Sequence, residues 1–415
     1  MNKKSPKNKI LIALSAVGPG LFLIGYNIGT GSITTMAKAG AEYGMTLFWA
    51  LILSCLFTWI LMVAYGQMTL TSGNTALYNI KSRIRGGRIL AVYIIIALII
   101  GELLALMGIM GIVAELVQEG IRLVSGSHAV MIDTFWIILL FAVILYFLLW
   151  YGRYRMFEKI LTVFVILMAL CFIAVFFMVR PSFSVIFKGM VPGVPETAGA
   201  LRLIAAMVGT TCSAAVFIMR STVVAEKGWT IKNLKTEKRD AFTSAAMMLF
   251  LSGVIMAVSA GTLHVLGLKL DNTVEMIRLF EPLGGQVAAF LLIIGITGAG
   301  LSTVFPIVLI APWLISDYTG RPRNIKSPMY RILIFGGLIF AFGSVLINQT
   351  PPILMVFSQA FQAAILPAVA IPVFLLINRK DVVNSHLPTW RMNTGLVAVI
   401  LFSLITTYFA ILSFF

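Results

Sequence analysis

The chain has 415 residues, of which 60% are hydrophobic and only 11% charged, with a mean hydropathy of +1.01. Such a composition excludes a soluble globular domain, because that much apolar surface cannot be left in water. The formal charge of +16 would suggest a nucleic-acid partner if it lay on one face of a folded domain, but it is spread over the connections between apolar runs.

Those runs predict an all-α integral membrane protein with about eleven spans of roughly 20 residues each. They fall near 10–37, 46–70, 90–118, 133–150, 159–178, 199–224, 240–262, 286–312, 331–348, 353–378 and 392–413. The whole chain, 1–415, reads as a single transmembrane domain. Asn2-Lys3-Lys4 leads into a span too long for a signal-peptide core, so no cleavable leader is expected.

Span 1 carries an interruption at Asn27-Ile28-Gly29-Thr30-Gly31-Ser32. Helices in a bilayer keep their backbone groups paired internally, and a break at mid-depth persists only where protein or a water-filled cavity satisfies the freed groups. Broken helices of this kind mark substrate sites in transporters. Span 6 repeats the signal at Gly209-Thr210-Thr211-Cys212-Ser213-Ala214-Ala215.

Between the breaks, span 3 places Glu102 at mid-depth, where a charge costs roughly 2.5–3.5 kcal/mol on insertion scales. It reads as the one well-buried titratable group: a proton carrier, a partner for a buried cation, or a carboxylate hydrogen-bonded to a neighbouring helix. Arg220 follows the span 6 break. It either snorkels to the membrane boundary or lines the inner exit path as a fixed positive charge. Gly108, Gly111, Gly298 and Gly300 are expected to be helix-packing positions. The 21 methionines are read as core filling, and neither break contains one. Cys55, Cys171 and Cys212 lie far apart inside spans, and His128, His264 and His386 show no metal-ligand spacing, so no disulfide, haem, zinc or other cofactor is expected.

Most of the 31 basic residues cluster at the N-terminus and in alternate connections, including Lys3, Lys4, Lys81, Arg83, Arg85, Arg153, Arg155, Lys235, Lys238, Arg239, Arg321, Arg323, Arg379 and Lys380. The positive-inside rule then places the N-terminus in the cytoplasm and the C-terminus outside a multi-pass cell-membrane protein.

Several segments, in order, resemble the NRAMP divalent-metal transporters. They are Gly18-Pro19-Gly20, Ala39-Gly40-Ala41-Glu42-Tyr43-Gly44, Arg155-Met156-Phe157-Glu158, Met190-Val191-Pro192, Glu281-Pro282-Leu283-Gly284-Gly285, Gly298-Ala299-Gly300-Leu301-Ser302-Thr303, and Ser358-Gln359 with Leu366-Pro367. The resemblance implies a LeuT-like fold. In it, two inverted five-helix repeats (about 10–178 and 199–378) carry broken helices 1 and 6, followed by an extra span at 392–413. It also implies a site. The family's span 1 Asp-Pro-Gly-Asn falls on Gly29, Thr30, Gly31 and Ser32, and its span 6 Met-Pro-His on Ser213, Ala214 and Ala215. Thr210 takes the position whose carbonyl joins the metal, and Gln359 keeps the span 10 glutamine. Glu102 keeps the span 3 glutamate, which makes it the candidate for proton coupling. The second span 6 histidine becomes Arg220, which cannot titrate at physiological pH.

With the family's aspartate and methionine replaced, the sequence predicts a cavity of neutral oxygens with extra room. The favoured expectation is therefore a secondary transporter of a small organic solute, amino-acid-like or carboxylate-bearing, with H+ a candidate coupling ion. The alternatives are a Mg- or Mn-class divalent-cation carrier with an oxygen-only site, and a non-transporting sensor. An enzyme is not expected, and the partners foreseen are the bilayer and a small solute or ion, not nucleic acid.

Overall fold

The computed structural model describes residues 29–125, 132–151, 154–321, 323–347, 349–383 and 386–413. Asn27 and Ile28, the first residues of the expected span 1 break, lie outside that set. All the regular structure described is helical.

The helices run α1 (Thr30–Tyr43), α2 (Phe48–Ser72), α3 (Ala76–Arg83), α4 (Gly87–Ser125), α5 (Thr134–Trp150), α6 (Tyr154–Val179) and α7 (Phe183–Lys188). They continue with α8 (Ala198–Thr211), α9 (Ala214–Glu226), α10 (Leu234–Ser259), α11 (Gly285–Thr319), α12 (Pro328–Ile339), α13 (Gly343–Ile347), α14 (Pro351–Ile377), α15 (Lys380–Val383) and α16 (Trp390–Leu412). Among the described residues nine helical segments are long and apolar enough to cross a membrane, and Thr134–Trp150 is a shorter apolar helix. The expected spans 2 to 11 all correspond to helices.

Local chemistry sets many of the ends. Asp133, Ser327 and Thr389 each accept a hydrogen bond from a first-turn backbone N–H of α5, α12 and α16, and such caps satisfy donors that the helix itself cannot. Gly73 and Gly320 close α2 and α11 in the left-handed region, at φ 67° and 69°, where a Cβ would be strained.

Packing places α14 at the centre, against α1, α2, α4, α8, α9 and α16, while α11 packs on α4 and α6 and α10 on α2. Small residues permit the close approaches. A Cβ on Gly108 would press on Met355, one on Gly111 on Pro351 and Ser344, and one on Gly298 on Phe164. Gly300 is hemmed in by Val113 and Thr30. The packing role expected of these four glycines holds. Large apolar side chains such as Phe147, Leu170, Phe177, Leu401 and Tyr408 point outward, as a helix bundle in hydrocarbon requires.

The basic connections share one end of the bundle. Arg83 pairs with Asp381 at 3.2 Å, Arg323 with Glu226 at 2.7 Å, and Lys81 donates to the Tyr318 carbonyl at 2.8 Å. At the opposite end, the buried Lys38 of α1 is held by Glu42 at 2.6 Å and Asp271 at 2.7 Å. Ser259 donates to the Ala37 carbonyl, which straps α1 to the end of α10.

One boundary differs in a way that matters. Span 7, expected from 240, begins at Leu234, because Lys235-Thr236-Glu237-Lys238-Arg239-Asp240 forms an amphipathic first turn and a half rather than a loop. That turn carries Glu237 into the interior at 0% exposure, so Glu102 is not the one well-buried titratable group.

Candidate functional site

The span 6 break is present. α8 ends at Thr211, Cys212 and Ser213 leave helical geometry (φ −107°, ψ 48° and φ −67°, ψ 128°), and α9 restarts at Ala214. Cys212 and Ser213 are among the poorer helix formers, and Ser213 sits where an N-cap is favoured. In span 1 the described chain enters through an extended Gly29 (φ −91°, ψ −170°), and the helix begins at Thr30.

The start of α1 meets the end of α8. Thr210 Oγ1 donates to Ser32 Oγ at 3.2 Å, and between them lies a cavity of about 30 Å3, room for one or two water-sized guests. Of the residues expected at the site, Gly29, Gly31, Ser32, Thr210, Ser213 and Gln359 line this cavity. Two other expected residues do not reach it. Thr30 is fully buried with its hydroxyl beside Gly300, and Ala214 is fully buried as the first residue of α9.

Close packing explains the glycines. A Cβ on Gly29 would collide with Thr303 of α11, and one on Gly31 would lie 2.9 Å from Gln359 Nε2 and 3.0 Å from Met355 Cε. Space left by the missing span 1 side chains is thus filled from α11 and α14. The extra room expected from the small residues at the breaks is absent.

Three further wall residues change the chemistry. Glu102 lines the cavity from α4, and Met355 and Gln362 from α14. The expectation of a cavity without anionic or sulfur donors is corrected accordingly: a carboxylate and a thioether are both on the wall, delivered by spans 3 and 10. Gln362 links the groups. Its Nε2 donates to Glu102 Oε1 at 2.6 Å, and its Oε1 accepts from Ser213 Oγ at 3.2 Å. Sequence reasoning missed Met355 and Gln362. The signal available was spacing, since Gln362 follows Gln359 by three residues and Met355 precedes it by four, which puts all three on one helical face.

Arg220 stands apart from the cavity. It is fully buried, with Nε and Nη2 on Glu237 Oε1 at 2.9 and 2.6 Å and Nη1 2.9 Å from Asp240 Oδ2. Neither a boundary-seeking side chain nor a charge lining an exit describes it; it is the cation of an interior ion-pair network. Among the described residues no cluster of three or more His, Cys, Asp or Glu could hold a metal, so any cation in the cavity would rest on one carboxylate and neutral donors.

The Nramp family model, described as natural resistance-associated macrophage protein-like, matches residues 20–413. Divalent metal cation transporter MntH of Staphylococcus aureus (strain Mu3) is 24% identical over 446 residues, an alignment covering 100% of this chain and 94% of that protein. A crystal structure of the Eremococcus coleocola manganese transporter, in complex with an aromatic bis-isothiourea substituted compound, matches with a TM-score of 0.70 at 16% identity, over 98% of this chain and 87% of that one. Mhp1, a nucleobase-cation-symport-1 family transporter in a closed conformation with bromovinylhydantoin bound, matches with a TM-score of 0.58 at 17% identity, over 95% and 92%.

Proposed function

Because this chain belongs to the Nramp family of membrane transporters, we propose that it is a secondary carrier of a small divalent cation of the Mn class. In this reading its ligands have moved from the two breaks to spans 3 and 10. The observation that carries the reading is the wall of the cavity: Glu102, the amides of Gln359 and Gln362 and the thioether of Met355 converge on a space of about 30 Å3. Carboxylate, amide and thioether together suit a borderline dication, while ligand pockets for organic molecules run to several hundred Å3. The names of the Staphylococcus and Eremococcus proteins, a divalent metal cation transporter and a manganese transporter, support the same substrate class.

A second reading, transport of a small carboxylate-bearing solute, has one observation in its favour. Two helix N-termini, those of α1 at Thr30 and α9 at Ala214, open beside the cavity, and N-termini attract anions by about 0.3–1 kcal/mol each. The C-terminus of α8 at Thr211 opposes them. Cavity size favours the cation.

Proton coupling is assigned to Glu102, whose hydrogen bond to Gln362 ties it to Ser213 at the span 6 break. The charge distribution favours basic connections in the cytoplasm, with the inverted repeat as the underlying symmetry.

Uptake into proteoliposomes tests the proposal. Saturable Mn2+ entry that is lost in Glu102→Gln supports it. Accumulation of a small carboxylate solute with no Mn2+ or Mg2+ entry would replace it with the second reading.

A further inference from the structure

Away from the transport cavity, α10 and α16 both pack on α2 but touch each other only marginally. The gap between them is a cleft of about 540 Å3, lined by Trp59, Ile60 and Val63 of α2, Leu234 of α10, Leu387 before α16 and Met392 in its first turn. Gln67 Nε2 donates to the His386 carbonyl at 2.9 Å, clipping the connection before α16 onto α2 and fixing one wall. Leu234 and Lys238 also border a second compartment, of about 790 Å3, which runs along α10.

The two compartments differ in chemistry. The first is apolar along the membrane-spanning stem of α2, with Lys238, His386 and Arg391 at its rim. The second carries Lys232, Lys235 and Arg239. No carboxylate lines either one among the described residues. This separation follows from the first turns of α10. Lys235, Lys238, Arg239 and Phe242 fall at i, i+3, i+4 and i+7, one face of a helix. Glu237 and Asp240, the acids of the same turns, are drawn inward onto Arg220. Burying both carboxylates leaves the outer face of α10 basic.

We infer that this cleft is a binding site for an anionic phospholipid, with an acyl chain along Trp59, Ile60 and Val63 and the phosphate between Lys238 and Arg391. A cleft that is apolar towards the hydrocarbon and basic at the level of the basic connections matches an amphiphile with a negative head. Basic pockets between transmembrane helices hold such headgroups, and juxtamembrane cations are attracted to them. A zwitterionic lipid would leave the rim charge unmatched. A free anion would leave the apolar wall of Trp59, Ile60 and Val63 without a partner.

Native mass spectrometry of the full chain in a neutral detergent tests this, with phosphatidylglycerol, phosphatidylcholine and inorganic phosphate as probes. Phosphatidylglycerol should be retained over phosphatidylcholine. Lys238→Ser/Arg391→Ser should weaken it on the order of 25-fold, two cationic contacts at about fivefold each. Lys238→Arg/Arg391→Lys, which keeps the charge, should restore retention, and thermal melting of both variants should match the parent chain. Arg321→Ser, an exposed cation in another basic connection, should change nothing. Equal retention of the two lipids, an equal loss in Arg321→Ser, or inorganic phosphate binding as tightly as the lipid would each overturn the inference.

Discussion

Replacing Arg220 with methionine tests what holds the basic end of the bundle together. Arg220 and Glu237 are both at 0% exposure, and two guanidinium nitrogens share one carboxylate oxygen of Glu237 at 2.6 and 2.9 Å. Gly66 of α2 lies so close to that carboxylate that a Cβ there would overlap it, so α2, α9 and α10 meet at this one pair. Removing one member of a buried pair leaves an uncompensated charge and costs about 3–5 kcal/mol, whereas replacing both by apolar groups of similar volume is often neutral. Arg220→Met should therefore melt lower by about 6–10 °C, taking roughly 2 °C per kcal/mol for a chain of this size. Arg220→Met/Glu237→Met should regain most of the loss, since Asp240 lies nearer the surface. Intrinsic fluorescence during heating in detergent reads both. A single variant as stable as the parent, or a double variant no better than the single, would refute the assignment of this pair as a packing anchor.

Gly31→Ala should reduce uptake about tenfold or more while leaving the protein folded, because overpacking by one methyl costs about 1–3 kcal/mol and this methyl would press on Gln359 and Met355; unchanged uptake would exclude a tight site. Met355→Leu keeps the volume and removes the sulfur, so Mn2+ uptake should weaken relative to Mg2+ uptake, and competition between the two ions measures the change. Lys38→Met should release α1 from Asp271 and the Leu270 carbonyl, the groups that Lys38 reaches outside its own helix. In a background lacking Cys55, Cys171 and Cys212, Ser32→Cys should then react faster with a membrane-impermeant maleimide, and an unchanged rate would show that Lys38 is not a latch.

Hydrophobic runs and the glycine-rich interruptions were enough to place spans 2 to 11, the break at Cys212–Ser213 and most of the cavity's backbone wall. They work because in hydrocarbon the length of an apolar run and the satisfaction of backbone groups leave few options. Side chains delivered from other helices were harder to read. Met355 looks like any core methionine, and Gln362 like a polar residue on a packed helix, until the bundle brings them to Gly31 and Ser213. Glu237 was missed for a different reason. Its flanking lysines and arginine give the segment the composition of a loop, and only pairing with Arg220, 17 residues earlier on another helix, draws it inside.

The same interlocking limits how the site could be changed, which leads to a sharper test of the cation reading. A dication in this cavity meets a single carboxylate, so binding should be weaker than where a second acid is present. Adding one at position 29, where the family's aspartate would fall, looks sufficient from sequence alone. The packing says otherwise: a Cβ at position 29 would collide with Thr303, so Gly29→Asp by itself should abolish transport rather than strengthen it. Gly29→Asp/Thr303→Gly removes the obstacle and supplies the charge. Two unit charges about 4 Å apart attract by about 4 kcal/mol at an effective dielectric of 20, part of which desolvation of the new carboxylate offsets. The double variant should therefore bind Mn2+ on the order of tenfold more tightly than the parent by isothermal calorimetry. If the single variant transports normally, Thr303 does not hold position 29 to glycine. If the double variant folds but gains no Mn2+ affinity, the cavity between α1 and α9 is not where a cation sits.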